Sequence, residues 1–315
     1  MQTIVTVTIN PTIDASCSVD YVVADRKLRG KSPHREPGGG GINVSRAIKK
    51  LGGESVAIYT SGGPIGQMLQ ALLDQENINH YPISIEEITR ENFIVSEEST
   101  GRQFRFGMPG PTLRNTEWKR CLDVVSGIDP KPDYIVASGS LPPGVPHDFY
   151  ARIARRAGEI GSRMIVDTSG EALRLASEEH VYLLKPNRNE LQYLVKEEIK
   201  NEQHMVLMAK KILERGYCEA LIISLGEAGA LFVSKDRYEF MRTPVVPKVS
   251  RVGAGDSMVA GMVLNLAKGN SVYDSVRFGI AAGTAAVMTP GTELCRREDT
   301  ERLYSQMMRN KRGVK

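Results

Sequence analysis

An alternation of apolar strands with helices runs through the second half of the chain and restricts its fold more than any other feature. From residue 133 onward, the segments DYIVASGSL, RMIVDTS, YLLKPN and ALIISLG read as strands, and helical stretches follow at about 147–160 and from Asn189. Near the C-terminus, VGAGDSMVAGMVLNLAKG and SVYDSVRFGIAAGTAAVM read as two packed helices. Near-continuously apolar strands separated by helices are typical of a mainly parallel sheet covered by helices on both faces. The pattern therefore predicts a three-layer α/β/α fold.

The first half follows the same rhythm but is interrupted twice. Residues 3–9 alternate as a strand, and the glycine run 38–41 leads into a helix. Residues 93–106 instead read as two strands joined by a turn at 99–102, and residues 14–36 have no helical period. We therefore expect one domain over residues 1–315, with a small β-sheet inserted at about 14–36 and 88–108.

Composition excludes several classes of protein. The 315 residues are 41% hydrophobic and 25% charged, and the net charge of +4 is spread along the chain rather than gathered into the basic stripe of a nucleic-acid binder. The four cysteines show no C-x-x-C spacing, which favours reduced thiols over a disulfide or metal framework. The N-terminus lacks a signal-peptide pattern, and no segment has the length of apolar residues that a membrane span needs. A cytoplasmic protein with no nucleic-acid or membrane partner is expected.

Polar and glycine residues concentrate where the predicted strands end. In open α/β sheets, ligands bind beyond the carboxyl ends of the strands. The chain has such residues at Asn10 to Asp14, Gly62-Gly63, Ser138 to Ser140, Asp167 to Ser169, Lys185 to Asn187 and Ser224 to Gly226.

The sharpest chemical pattern is Gly253-Ala254-Gly255-Asp256 at the start of a long apolar helix. Backbone N–H groups exposed at such a helix start form a site for a transferring phosphoryl group. An Asp held there can accept the proton of an attacking hydroxyl. Taken alone, Asp256 could equally be a helix cap.

A second glycine run, Gly38 to Gly41 followed by Asn43, also opens a helix. The spacing is not that of a dinucleotide fingerprint, and close approach of the backbone to a sugar with Asn43 bonding a hydroxyl explains it better. A tight loop before a helix is the alternative. The chain contains neither a Walker A motif nor the protein-kinase H-R-D and D-F-G set.

Together the two glycine motifs resemble the paired signatures of the ribokinase-like, phosphofructokinase B family of sugar kinases. Further motifs match that family in order over nearly the whole chain: Asn10-Pro11 with Asp14, Glu36 to Asn43, Met108-Pro109-Gly110, Gly139 to Gly144, Asp167 to Gly170, Lys185-Pro186-Asn187 with Glu190, and Ser224-Leu225-Gly226 with Gly229. The resemblance implies a ribokinase-like fold with a small β-sheet lid, and an ATP-dependent kinase.

The resemblance also implies roles for individual residues. Asp256 would deprotonate the sugar C1 hydroxyl, and the backbone of Gly253, Ala254 and Gly255 would stabilise the phosphoryl group. Asn187 and Glu190 would hold Mg²⁺ through waters, which suits the hydration of magnesium. The nucleotide would be lined by Lys185, Asn187, Ser224, Gly226 and Gly229. The sugar would be bound by Asp14, Gly39, Gly40, Asn43 and Ser140.

Basic residues on the two inserted segments would bind the phosphate of a phosphorylated sugar. The segments contain Lys27, Arg29, Arg90 and Arg105, and arginine suits phosphate because its planar fork bonds two oxygens. Each could otherwise be a solvated surface charge. In the family such lids often pair between subunits, so a homodimer is expected.

The glycine loop favours fructose 6-phosphate as the substrate. Family members that act on fructose 1-phosphate or tagatose 6-phosphate tend to have G-G-K-G in this loop, with lysine where Gly40 stands here. A 1-phosphofructokinase, a tagatose-6-phosphate kinase and, in a different class, a non-catalytic sugar-phosphate sensor remain alternatives.

Related kinases bind a monovalent cation at positions that correspond to Ser250, Val252, Ala286 and Gly291. Arg251 stands where relatives usually have threonine, and Arg251 or Glu293 could alter that site. The sequence therefore leaves potassium dependence open.

Overall fold

Nine strands form one large sheet in the computed structural model, which describes residues 2–250 and 252–312. The strands are β1 (Ile4–Thr8), β4 (Val56–Ser61), β5 (Asn79–Ser84), β8 (Tyr134–Ser138), β9 (Arg163–Asp167), β10 (Val181–Leu184), β11 (Cys218–Ser224), β12 (Ala230–Ser234) and β13 (Tyr238–Met241). Their order is β13-β12-β11-β10-β9-β8-β1-β4-β5. All neighbouring strands are parallel except at the end formed by β11, β12 and β13, which pair antiparallel.

The part of the chain that the structure describes contains ten α-helices. They are α1 (Gly40–Lys50), α2 (Gly63–Gln75), α3 (Asn115–Gly127), α4 (Phe149–Ile160), α5 (Gly170–Ser177), α6 (Arg188–Val195), α7 (Glu202–Glu214), α8 (Ala254–Ala267), α9 (Val272–Ala286) and α10 (Arg297–Arg312).

The two faces of the sheet pack against different helices. Successive residues of β8 point to opposite faces, so that Ile135 and Ala137 join the core with α3 to α7, whereas Tyr134 and Val136 join the core with α1, α8, α9 and α10. Burial on both faces explains why the strands are apolar at nearly every position. The predicted mainly parallel sheet with helices on both faces is therefore confirmed.

Helix α8 is buried around almost its whole circumference, from Ser257 to Leu264. This burial explains its uniformly apolar sequence, since a helix covered on all sides needs no polar face. It packs against α1 and α9, and its N-terminus lies at the carboxyl edge of the sheet.

A second, four-stranded sheet, called the small sheet below, is inserted at the carboxyl edge of the large one. It consists of β2 (Thr12–Val19), β3 (His34–Gly38), β6 (Arg90–Glu97) and β7 (Gln103–Phe106) in the order β3-β2-β6-β7. Strands β6 and β7 form the predicted hairpin, with Phe93 opposite Phe106. Only three residues separate β1 from β2, and only Gly39 separates β3 from α1.

Among the described residues, the structure contains several elements that the sequence did not reveal, such as α3, α7, β5 and β13. None of the described helices is long and apolar enough to cross a bilayer.

Candidate active site

The carboxyl ends of four neighbouring strands bring the predicted polar residues together. Asn10, which follows β1, donates its amide to the hydroxyl of Ser140, which follows β8, at 3.1 Å. Gly139 N donates to Asp167 O at 3.1 Å, and Lys185 Nζ lies 3.0 Å from Asp167 Oδ1. Parallel strands end at one edge, so residues distant in sequence meet there.

Asp256 lies in the first turn of α8, directly after a left-handed turn at Gly253, whose φ is 70°. That conformation is strained for residues with a side chain. The first N–H groups of a helix have no partner within the helix, so the turn offers donors to an anion. Asn43 on α1 donates to Asp256 Oδ2 at 2.9 Å. The contact fixes the carboxylate against the second glycine motif.

The surroundings of Asp256 raise its pKa to about 6. Burial is the main cause, the nearby Asp167 adds to it, and the Asn43 hydrogen bond and Lys185 oppose it. A carboxylate with a pKa close to neutrality is suited to accept a proton from a hydroxyl.

Lys185 is buried and paired with Asp167. Burial favours its neutral amine, but the charge of Asp167 and the hydrogen bond to it prevail and raise the pKa of Lys185. A Cβ built on Gly255 would lie 3.8 Å from Lys185 Nζ. The ammonium group therefore lies beside the first turn of α8, where it adds positive charge to the anion site.

Asn187 and Glu190 bond each other at the start of α6. Asn187 Oδ1 accepts from Glu190 N at 3.0 Å, and Glu190 Oε2 accepts from Asn187 N at 2.7 Å. Burial raises the pKa of Glu190, and Asp167 contributes to the rise. No group of three His, Cys, Asp or Glu side chains within the described residues could hold a metal ion directly. The all-oxygen donors and their excess negative charge fit Mg²⁺ held through waters and phosphates.

A cavity of about 570 Å³ opens beside the first turn of α8. Four of the five residues predicted to contact nucleotide line it, namely Asn187, Ser224, Gly226 and Gly229, together with Ala254 and Gly255. Lys185 is not among the lining residues.

Sequence reasoning missed most of the apolar wall of this cavity. The wall comes from the loop after β13 and from α8 and α9: Thr243, Pro244, Val245, Val246, Met258, Ile280, Thr284 and Val287. The one available signal was the run TPVVPKV at 243–249, which is apolar without strand alternation. An apolar cleft of this kind is suited to a flat heterocyclic base.

Asp14 lies in β2 of the small sheet, where it faces the glycine loop. Burial raises its pKa, while a hydrogen bond from Asn92 Nδ2 at 3.0 Å and the charge of Arg90 oppose the rise. Asn92, which the sequence did not single out, also accepts from Met108 N at 3.0 Å.

Nearby, the side-chain oxygens of Asn10 and Asn43 are buried without a hydrogen-bond partner. Unsatisfied buried acceptors are costly and are suited to a hydroxyl-bearing ligand.

The glycine loop approaches the end of β8 closely. A Cβ built on Gly40 would lie 2.8 Å from Gly139 N and would also collide with Ser138. The backbone here has no room for a side chain at position 40, including the lysine of G-G-K-G loops. Gly39 adjoins this contact as the residue preceding α1.

The four basic residues expected at the sugar phosphate differ in their surroundings. Arg90 is half-buried and donates to three backbone carbonyls, those of Asn10 and Met108 at 3.0 Å and of Pro11 at 3.4 Å. By contrast, the side chains of Lys27, Arg29 and Arg105 are exposed on the small sheet and its connections. Arg90 therefore anchors the small sheet to the end of β1, whatever else it binds.

Two segments expected at a monovalent cation are hydrogen-bonded to each other. Ser250 Oγ donates to Gly291 O at 3.0 Å, and Val252 N donates to Ser250 Oγ at 3.2 Å. Ser250 N also donates to Val287 O, next to Ala286. Arg251 lies outside the described residues. The segments thus bring the Ser250 hydroxyl and the Gly291 carbonyl oxygen together, and oxygen is the donor type that alkali cations prefer.

Glu293 is one of the two positions expected to alter the cation site. Its carboxylate pairs with Arg296 at 2.7 Å. This contact holds the carboxylate beside the residue that precedes α10.

Comparison with known families matches residues 4–299 of this chain to the pfkB family carbohydrate kinases. The chain is 42% identical over 301 residues to the ATP-dependent 6-phosphofructokinase isozyme 2 of Mycobacterium tuberculosis, covering 96% of this chain and 88% of that protein. It is 32% identical over 292 residues to the 1-phosphofructokinase of Bacillus subtilis, covering 92% and 95%.

Solved structures show the same fold. Phosphofructokinase-2 from Escherichia coli in complex with potassium superposes with a TM-score of 0.94 at 40% identity, covering 98% of this chain and 100% of that one. The same protein in complex with fructose-6-phosphate gives 0.92 at 39% identity with the same coverage. A ribokinase from Thermotoga maritima, at 21% identity and a TM-score of 0.76 over 97% and 100% of the chains, shares the fold.

Proposed function

The chain belongs to the pfkB family of carbohydrate kinases, and from this membership we propose that it transfers the γ-phosphoryl group of ATP to the C1 hydroxyl of fructose 6-phosphate. The observation that best supports the proposal is the position of Asp256. Its carboxylate, with a pKa of about 6, lies in the first turn of α8, between the apolar cavity and the glycine loop.

In the proposed reaction, Asp256 accepts the proton of the C1 hydroxyl as the sugar oxygen attacks the γ-phosphorus. The bond between that phosphorus and the β–γ bridging oxygen breaks, and ADP leaves with the electron pair. Asn43 holds the Asp256 carboxylate in place through its 2.9 Å hydrogen bond. The proton then stays on the Asp256 carboxyl until it is released to solvent.

Charge that develops on the transferred group would be stabilised by the first turn of α8. The N–H groups of Gly253, Ala254 and Gly255 lie at the positive end of the helix dipole. Lys185 lies beside this turn as an ammonium ion, because Asp167 holds its pKa up. These groups are fixed before substrate binds, which avoids reorganisation during the reaction.

Asn187 and Glu190 are the residues that would hold magnesium, through water molecules. When bound, Mg²⁺ would neutralise charge on the β- and γ-phosphates.

The adenine would lie against the apolar wall near Val246 and Val287, with Ser224, Gly226 and Gly229 around the ribose and phosphates. A monovalent cation could be held by Ser250, Val252, Ala286 and Gly291; turnover in KCl compared with NaCl tests this assignment.

The small sheet would act as a lid over the sugar phosphate. Asp14, Asn43, Gly39, Gly40 and Ser140 surround the sugar position. Lys27, Arg29 and Arg105 are exposed, Arg105 donates to Gln103 Oε1 at 3.2 Å, and Arg90 lies at the base of the sheet. Placing the phosphate under the lid would exclude water from the transfer.

A homodimer through the small sheet is also proposed. Large apolar side chains are exposed on this sheet and its connections: Tyr21, Val23, Leu28, Phe93, Phe106 and Met108. Apolar groups clustered on one exposed surface of a monomer mark an interaction site. A molecular mass near 70 kDa by light scattering, twice the 34.7 kDa of the chain, is the expected result, and a monomer would contradict it.

The proposed activity is tested by ADP release with Mg-ATP and fructose 6-phosphate, fructose 1-phosphate, tagatose 6-phosphate, fructose or ribose. A clear preference for fructose 6-phosphate is expected. Preference for another phosphosugar would identify one of the alternative kinases, and activity on unphosphorylated sugars alone would contradict the phosphate role of the lid. A protein that binds phosphosugar without turnover would be a sensor.

A further inference from the structure

A buried arginine of α1 bonds both strand β3 and the turn before α10. Arg46 lies on α1 with 2% of its surface exposed, one turn after Asn43. Its guanidinium pairs with Glu76 at 2.6 Å and with Glu36 at 3.4 Å. It also donates to Pro37 O at 2.9 Å and to Thr292 O at 3.3 Å. A buried guanidinium with this many partners has a fixed position.

Glu36 extends this contact to the turn before α10. Its Oε2 accepts from Thr292 N at 3.2 Å and from the Thr292 hydroxyl. Glu36 belongs to β3 of the small sheet, two residues before the glycine loop. The sugar-side strand is therefore bonded to a segment 256 residues further along the chain.

The turn that Glu36 holds contacts the residues that lead into α8, where the phosphoryl group is proposed to bind. Gly291 O, one residue before Thr292, accepts from Ser250 Oγ, which in turn accepts from Val252 N at the entry to α8. Leu294, two residues after Thr292, packs against Gly253. Displacing this turn would displace the first turn of α8.

Stability alone does not explain the arrangement. The network contains two carboxylates and one guanidinium, and buried ion pairs are weak contributors to stability because desolvation offsets attraction. Their best attested use is to fix one arrangement of neighbouring elements. Here the elements are β3, α1 and the turn at 291–294.

We infer that Glu36 and Thr292 are positioning residues that, bonded directly to each other and to Arg46, hold the first turn of α8 in register with the glycine loop and with Asn43. The inference rests on the proposed kinase function and deepens it. Neither residue touches substrate; both act through the turn beneath Gly253. An error of about 1 Å in such alignment can cost up to about a hundredfold in rate.

The test compares Glu36→Gln with Glu76→Gln and Thr292→Val with Thr292→Ser. Glu36→Gln and Thr292→Val should lower kcat about tenfold or more, with KM for ATP within about twofold of the parent. Thr292→Ser keeps the hydroxyl and should restore kcat to within about twofold. Glu76→Gln removes the other carboxylate from Arg46 without touching Thr292, so it should lower stability while retaining most of kcat.

Amide hydrogen exchange of the same variants reads the network without turnover. Residues 252–258 and 287–294 should exchange faster in Glu36→Gln and Thr292→Val than in Glu76→Gln or Thr292→Ser. If the parent protein does not phosphorylate fructose 6-phosphate, the proposed substrate is wrong. The hydrogen-exchange comparison would still test the positioning inference. Equal kcat losses in Glu36→Gln and Glu76→Gln, equal losses in Thr292→Val and Thr292→Ser, or unchanged exchange in those segments would overturn the inference.

Discussion

Replacing Asp256 by asparagine removes a carboxylate charge that burial makes unfavourable in the folded state. We therefore expect the variant to be more stable than the parent at neutral pH. The folded protein raises the pKa of Asp256 from an ordinary value of 3.8 to about 6. Between these pH values the folded state binds more protons at this site than the unfolded state does. Stability contributed by the site therefore falls as pH rises through that window.

The size of the effect follows from the difference between the two pKa values. About two pH units correspond to an upper limit of about 3 kcal/mol at pH 7.5, and to about half of that at pH 5, where the window has been only partly crossed. Asparagine keeps an oxygen to accept the Asn43 hydrogen bond and brings no charge. We expect a gain of about 1–3 kcal/mol in the free energy of unfolding at pH 7.5, with a smaller gain at pH 5.

Urea unfolding at the two pH values measures the gain, and coupled ADP release measures the cost in turnover. The kcat of Asp256→Asn should fall by about 10²- to 10⁴-fold, because the base is lost while the binding residues remain. Asp256→Ala is the control for loss of the hydrogen bond as well as the charge. An Asp256→Asn variant that is less stable than the parent at pH 7.5, or a gain that is larger at pH 5, would refute the electrostatic reasoning. Near-normal turnover would remove Asp256 from the role of base.

Three further predictions concern the same site. In a pH–rate profile, kcat/KM should fall at acid pH with an apparent pKa of about 6. Asn43→Ala should shift this fall to higher pH, because the Asn43 hydrogen bond lowers the pKa of Asp256, and an unshifted profile would contradict the assignment. Arg105→Ala should raise KM for the sugar phosphate and leave the urea unfolding midpoint unchanged. Arg90→Ala should raise KM and also lower the urea midpoint, because Arg90 bonds three backbone carbonyls; the same result for both variants would contradict this difference. Gly40→Ala should cost about 1–3 kcal/mol of stability and weaken sugar binding, and a variant as stable as the parent in urea would show that the loop can move away from β8.

The sequence predicted the parts of the fold in which local pattern and tertiary burial agree. The strands ending at Asp167 and Ser224 are buried on both faces, and their runs of apolar residues predict them. The helix of Gly253 to Asp256 was predictable because glycine and aspartate are the residues that a helix start at an anion site requires. The hydrogen bond between Asn43 and Asp256 was not predicted, since 213 residues separate the two in the sequence.

Other features depend on three-dimensional packing that no local pattern encodes. The apolar wall near Val246 is formed by a loop without regular structure, so neither period marks it. Asn92 lies just before the predicted strand, and only the fold shows that its amide bridges Asp14 and Met108. The sequence predicts Arg46 as an exposed helix residue of the ordinary kind, and only the packing of α1 against β3 shows that it is buried.

The way in which the small sheet joins the large one has an evolutionary consequence. All four of its strands are inserted at loops on the carboxyl edge, and the two main cores on the faces of the large sheet contain none of their residues, although Ile13 of β2 packs into a smaller core with Tyr59 and Leu69. Substitutions on the exposed face of the small sheet can therefore accumulate with little penalty to folding of the catalytic body. If Arg105 binds the sugar phosphate as proposed, residues around it can change with the phosphosugar while Asp256 and its surroundings stay unchanged. Substrate range and phosphoryl chemistry are in this sense separately heritable.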